Sequence, residues 1–315
     1  MLAGGLHSQA NGESPTTDSM VFTAFPEADS YRRIVRDVDQ QARTTIERAL
    51  PFKVHFDELG PHTLLVAFRG RQPVGLLYLR SEESEWGLTE IAWALSLDLR
   101  VLGFQFLRGR SRHIHELQSS GFAKLLVGRD LTQLVEVLAK EGKRDPNLVP
   151  AGAEDLARTM LRSGIKALLV TDTVWRDEIA KMQDLSMGFD VFPGAERFHR
   201  KVARFDLTTS DDPSKVSANI VRATGKGNSH LGSVVRTEAM VDGNDVVLRW
   251  IVDERFRIVR IVPAQSWAND ALRLHCAELE GAPLSSPPAG KNPLSPLARR
   301  LGEVLANLNT SKGGG

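Results

Sequence analysis

The chain repeats itself, which restricts it to folds that can be built twice from one kind of domain. Phe25-Pro26-Glu27-Ala28-Asp29-Ser30-Tyr31-Arg32-Arg33 returns as Phe192-Pro193-Gly194-Ala195-Glu196-Arg197-Phe198-His199-Arg200. Val74-Gly75 opens a strand-like stretch that ends in Ile91-Ala92-Trp93-Ala94-Leu95 and runs on to Val101. Leu231-Gly232 opens a similar one that ends in Leu248-Arg249-Trp250-Ile251-Val252 and runs on to Ile258. Ala151-Gly152 and Ala289-Gly290 each precede a helix with apolar periodicity. These echoes keep the same order, and 315 residues give room for two domains of ordinary size.

Composition narrows the class. Hydrophobic residues make up 42% and charged residues 25% of the chain, the globular range. A net charge of +1 supplies no bulk attraction toward nucleic acid or an anionic membrane. One cysteine, Cys276, excludes an internal disulfide and a cysteine-built zinc or iron–sulfur site. No run approaches the ~20 apolar residues of a spanning helix. Residues 1–19 are small and polar and read as a disordered leader, and 311–315 as a tail.

Between these ends the first copy is expected over 20–185 and a shorter second copy over 189–310, with 182–191 joining them. Ile34, Val38, Ala42, Ile46 and Leu50 fall at four-residue spacing and predict one helix, closed by Pro51. Thr63–Phe68, Val74–Leu79, Thr89–Ala94 and Arg100–Phe106 read as an antiparallel meander, with Ser81–Ser84 as a charged loop. Ala123–Val127 and Leu131–Leu138 are short elements, and Glu141–Pro150 is a loop. Helical spacing then runs from Leu156 to Leu169. In the second copy the expected strands are Leu231–Glu238, Val246–Val252 and Phe256–Val262, with a hairpin turn at Asp242-Gly243-Asn244. Helices are expected over Trp267–Leu279 and from Leu294 to Leu308. The fold class is therefore α+β: two tandem domains, each a twisted antiparallel sheet covered by helices.

This order of motifs resembles the FMN-binding domain of the flavin-carrying subunits in Rnf-type and sodium-pumping NADH:quinone oxidoreductases. The matching residues are Phe25-Pro26-Glu27-Ala28 with its second copy, Val74-Gly75, Trp86-Gly87, the strand Ile91–Ala94 and the Leu97-Asp98 turn. The resemblance implies an extracytoplasmic, membrane-associated setting and other protein subunits as partners. In that family a flavin phosphate is esterified to a hydroxyl at the start of the closing helix. Helix N–H groups and the helix dipole suit such a place to phosphate. Here the place reads Ala151-Gly152-Ala153-Glu154-Asp155-Leu156, and in the second copy Ala289-Gly290-Lys291-Asn292-Pro293-Leu294. Leu156 and Leu294 have no oxygen to bond, and Glu154 and Asp155 repel a phosphate. The family's Glu-Thr-Pro-Gly loop is replaced by Arg108-Gly109-Arg110-Ser111-Arg112-His113-Ile114-His115. What the resemblance implies is thus a degenerate pair of FMN-binding-like domains without covalent flavin.

Other constellations are weaker. Arg108, Arg110 and Arg112 form the densest basic cluster, and Trp86 beside Gly87 is the tryptophan best placed to stack on a ring. Together they form the candidate site for a noncovalently held FMN or another anion, weighed against an ordinary solvated loop. His113 and His115 share a face if the segment is a strand, but two ligands fall short of a metal site. Trp93 and Trp250 occupy equivalent strand positions, which favours packing. Trp175 and Trp267 complete the set of tryptophans that could stack on a flavin ring. Gly225-Lys226-Gly227-Asn228-Ser229 lacks the spacing of a phosphate loop and reads as a turn. No nucleophile-elbow pattern occurs. Cys276 reads as a buried core thiol. The expected function is a noncatalytic accessory or scaffold subunit of a membrane-associated electron-transfer complex, with no cofactor. The alternative is an electron-transfer flavoprotein that holds FMN noncovalently.

Overall fold

The structure is a computed structural model that describes residues 16–53, 60–140, 148–209, 212–241, 244–264, 270–288 and 292–310. It contains two five-stranded antiparallel sheets and, among the described residues, eight α-helices. The chain divides into two compact units, one up to Gln183 and the other from Asp184.

The first unit begins with α1 (Thr17–Ala24), whose N-cap Thr16 accepts a hydrogen bond from the Ser19 amide. The helix starts inside the stretch 1–19 expected as a disordered leader; residues 1–15 lie outside the described residues. The sheet follows as a plain meander of β1 (Ser30–Val38), β2 (Gly60–Arg69), β3 (Gln72–Ser84), β4 (Gly87–Leu95) and β5 (Val101–Arg108). Between β1 and β2 lies α2 (Gln40–Ala49). After β5 come α3 (Ile114–Ser119), α4 (Gly121–Leu126) and α5 (Leu131–Ala139), and then the long α6 (Glu154–Val191).

The single helix expected from Ile34 to Leu50 is two elements. Asp39 stands in extended backbone and caps α2 by accepting the Ala42 amide at 2.8 Å, so the helix starts there and not earlier. Upstream, Ile34, Val35 and Val38 are β-branched and suit a strand. Ile34 and Val38 reach the same core as Ile46 and Leu50, which is why their spacing imitates one helix. The expected loop at Ser81–Ser84 is the end of β3, and Glu82 within it is buried. Residues 182–191, expected as a joint, continue α6. Trp175, at φ −118°, interrupts the helical backbone inside this element while remaining fully buried. Most of the expected 141–150 loop lies outside the described residues.

One face of the first sheet is covered by α6 and the shorter helices around Trp93, Tyr78, Leu64, Leu156, Met160 and Ile165. On the opposite face α1 contributes Met20 and Val21, and Phe25 beyond it packs with Leu65, Leu77 and Ala92.

In the second unit Asp184 to Val191 of α6 precede β6 (Arg197–Thr209), β7 (Asp212–Thr224), β8 (His230–Val241), β9 (Asn244–Asp253) and β10 (Ile258–Pro263), in the same meander order. Helices α7 (Asp270–Leu279) and α8 (Ser295–Thr310) follow. The periodicity reading assigns no strand across 197–224, where β6 and β7 lie. Trp267, Asp242 and Gly243 fall outside the described residues, but Val241 and Asn244 pair across that hairpin.

The echoes in sequence are equivalences in hydrogen bonding. The cross-strand row Ile34–Leu64–Tyr78–Trp93 has its counterpart in Lys201–Ile220–Val235–Trp250. Both tryptophans are fully buried and donate their indole N–H at 2.9 Å to a hydroxyl, Ser163 Oγ in one unit and Thr237 Oγ1 in the other. The β4–β5 turn closes with Ser96 N to Arg100 O and Leu99 N to Ser96 O; the β9–β10 turn repeats this with Asp253, Arg257 and Phe256. Leu99 and Phe256 even share a left-handed backbone, φ 55° and 59°. The last strand of each sheet is clipped alike: Gly128 N to Val101 O and Val101 N to Arg129 O match Gly281 N to Ile258 O and Ile258 N to Ala282 O. The third echo is shifted. Ala157 N to Ala153 O corresponds to Ala298 N to Leu294 O, so Leu294 matches Ala153, and Leu297 matches Leu156.

Candidate functional site

In the first unit, Trp86 and the 108–115 segment lie at the same end of the sheet, because Ser84 pairs with Gly87 and Glu90 pairs with Arg108. Trp86 sits on the β3–β4 turn and is 50% exposed. Arg108 ends β5, and Arg110 and Arg112 are exposed on the loop beyond it. Arg112 Nε donates to His113 Nε2 at 3.2 Å, and His113 Nδ1 lies 3.2 Å from Glu116 Oε2.

The two histidines do not share a strand face. His113 is the residue before α3 and His115 lies within it, so positions two apart on a helix diverge by about 200°. Among the described residues no group of three or more His, Cys, Asp or Glu could hold a metal ion.

The start of α6 meets this same end of the sheet. Asp155 Oδ2 accepts the Glu85 amide at 2.8 Å, tying the helix to the Trp86 turn. The Glu154 carboxyl lies below the usual range, held there first by its own backbone amide, then by that of Gly152, with a contribution from His113. At this helix start the Glu154 amide and the Gly152 amide before it thus have a carboxylate of this chain as partner, in the place a phosphate would take. Leu156 is 3% exposed and Leu294 is fully buried; both belong to core clusters. Leu297, the structural counterpart of Leu156, is buried as well.

Two buried ion groups attach α6 to the sheets. In the first unit Glu82 accepts Arg80 Nη2 at 3.1 Å and Lys166 Nζ of α6 at 2.8 Å. In the second, Asp184 of α6 accepts Arg249 Nε at 2.8 Å and pairs with Arg236 Nε at 3.3 Å. Such groups hold elements in register, and each is compensated by an opposite charge. Cys276 is buried among Leu272 and Leu279, and burial pushes its thiol up to about 11.

The second unit holds a cleft that the sequence reading misses. Its walls include His199 and Lys201 of β6, Arg222 of β7 and His230 of β8. The missing assignment of β6 and β7 hides it. The available signal was the strict alternation of Ala203, Phe205 and Leu207 with polar residues, which places Lys201 and His199 on the inner face.

Taken together, these features define an α+β protein with two five-stranded antiparallel meander sheets. Comparison with models of known protein families, with curated proteins and with solved structures returned no match. Among the described residues no helix is long and apolar enough to cross a membrane.

Proposed function

We propose that the chain is a noncatalytic accessory or scaffold subunit of a membrane-associated electron-transfer complex, working through its surfaces on the extracytoplasmic side. The assignment to an electron-transfer complex comes from the resemblance to FMN-binding domains. The observation that carries the noncatalytic part is the fate of the phosphate acceptor. Where that family needs an exposed hydroxyl, Leu156 and Leu294 are core residues, and Glu154 and Asp155 occupy the end of the helix. A hydroxyl substituted at either leucine would be buried in the core, away from solvent and from a flavin-transfer enzyme.

The test is affinity purification of the full chain from its native membrane fraction, with visible spectra before and after acid precipitation. The expected result is recovery with subunits of a redox complex and no flavin absorption from this chain. A stoichiometric yellow chromophore released by acid would favour the noncovalent flavoprotein instead. Yellow retained in the pellet would overturn the loss of covalent attachment.

A further inference from the structure

The duplication provides an internal reference for the cleft in the second unit. The row Arg32–Val66–Leu76–Leu95 of the first sheet corresponds to His199–Arg222–Ser233–Val252 of the second. Val66 and Leu76 are fully buried core residues; their counterparts are a guanidinium and a hydroxyl. In the next row Ile34 becomes Lys201. At the start of the third strand Pro73 becomes His230, one position before the matched Val74 and Leu231. Four cation-capable side chains thus replace one exposed arginine and three apolar positions.

These changes are concentrated on one cleft of about 30 Å³. One water requires roughly 10–15 Å³ on the same measure, so the cleft admits a group of a few heavy atoms. Phe256, Leu305 and Leu308 form its apolar wall, with the Phe256 and His230 rings 6.0 Å apart. Among the described residues no acidic side chain lines it. Arg222 Nε is buried and makes no hydrogen bond, an arrangement that costs free energy unless an acceptor enters. His230 Nε2 lies 3.4 Å from Ser233 Oγ. Burial first, and the Arg222 charge second, hold the His230 imidazole below its usual value, opposed by a hydrogen bond with the Gly232 backbone and by the Glu254 and Asp253 charges.

We infer that this cleft is a binding site for a phosphomonoester with an apolar or aromatic substituent. Lys201 and Arg222 supply two positive charges, which match a phosphate dianion better than the single charge of a carboxylate. Ser233 and His230 add hydrogen-bonding groups for the phosphoryl group, which fills the cleft, while Phe256, Leu305 and Leu308 flank a substituent that extends out of it. The first unit, with Val66 and Leu76 in these places, has no such site. The inference is independent of the electron-transfer reading, since none of these residues belongs to the Trp86 end of the first sheet.

The test is titration calorimetry of the full chain with phenyl phosphate, in parallel with benzoate, and sedimentation with phosphatidylcholine vesicles containing phosphatidate. Arg222→Val and Lys201→Ile install the first unit's residues, and Arg222→Lys keeps the charge if Arg222→Val fails to fold. Arg176→Gln, in the first unit, controls for loss of one positive charge. Expected is binding of phenyl phosphate that weakens by about tenfold or more in Arg222→Val and Lys201→Ile, by less in Arg222→Lys, and is unchanged in Arg176→Gln. Vesicle binding with the same variant pattern would identify a lipid headgroup as the source, and soluble binding alone a free phosphomonoester. Benzoate binding as tightly as phenyl phosphate, no binding in either assay, or variants that bind like the unaltered chain would overturn the assignment.

Discussion

Phe25 and Phe192 show at the residue scale why the Phe-Pro element recurs. Each ring lies directly on a glycine of the third strand of its own sheet, Phe25 on Gly75 and Phe192 on Gly232. A Cβ at Gly75 would collide with the Phe25 ring alone. At Gly232 it would meet both the Phe192 ring and the Val252 carbonyl oxygen, on a backbone with φ 151°. We therefore expect Gly75→Ala to destabilise its unit by about 1–3 kcal/mol, and Gly232→Ala by more, because a ring can shift and a carbonyl in a sheet cannot. Urea unfolding of the two variants checks the order; equal midpoints would refute it. Cys276 carries a second expectation. Its folded thiol titrates near 11, above the ordinary value of 9.0, so folding favours the protonated form. Stability is full below pH 9 and declines as pH rises toward 11. Thiol-directed labelling of the native chain should be slow at pH 8 and rapid in denaturant. Both glycines and the cysteine's burial could be named from the chain, since repeated Phe-Pro and Val-Gly or Leu-Gly pairs are visible there. Which ring meets which glycine could not, because about fifty residues or fewer separate them in sequence and only sheet closure brings them together.

At the scale of elements, the end of β3 and the start of β1 carry the same lesson. Ser81–Ser84 looks like a solvated loop because four polar residues stand together. Glu82 is nonetheless inside, because Arg80 two residues earlier and Lys166 on α6 neutralise it. Removing the shared anion leaves two cations buried, whereas removing one cation leaves a pair. Glu82→Gln is expected to cost about 3–5 kcal/mol and Lys166→Met distinctly less, measured by thermal and urea unfolding. A smaller loss for Glu82→Gln would show that the cations escape to solvent. The start of α2 depends on Asp39, and Asp39→Ala should cost about 1 kcal/mol, read by the same unfolding curves. The four-residue spacing of Ile34 through Leu50 gives no sign of that cap. Two elements facing one core produce the same spacing as one helix, and only strand pairing of Arg33 with Leu65 separates the cases.

At the scale of the whole molecule, α6 serves both units. Its earlier residues cover the first sheet, and Asp184 to Val191 belong to the second unit, where Asp184 holds Arg236 and Arg249 and Gly188 receives the Phe198 ring. A fragment from Asp184 to Gly315 should therefore fold, whereas one starting at Phe189 takes the Asp184 carboxylate from buried Arg249 and leaves Arg236 with Glu238. The shorter fragment is expected to be about 3–5 kcal/mol less stable. Amide dispersion in NMR spectra and urea midpoints of the two fragments decide it; equal stability would remove α6 from the second unit. The echoes between the two halves, the strands β2 to β5 and β8 to β10 and the closing helices were legible in the sequence, because local pattern and repetition are properties of neighbouring residues; β1, β6 and β7 were not. The shift of the third echo, the burial of Glu82 and the cleft around Arg222 were decided only by tertiary structure. Each depends on which strands pair and at what register, and register sets the face on which a charged side chain ends.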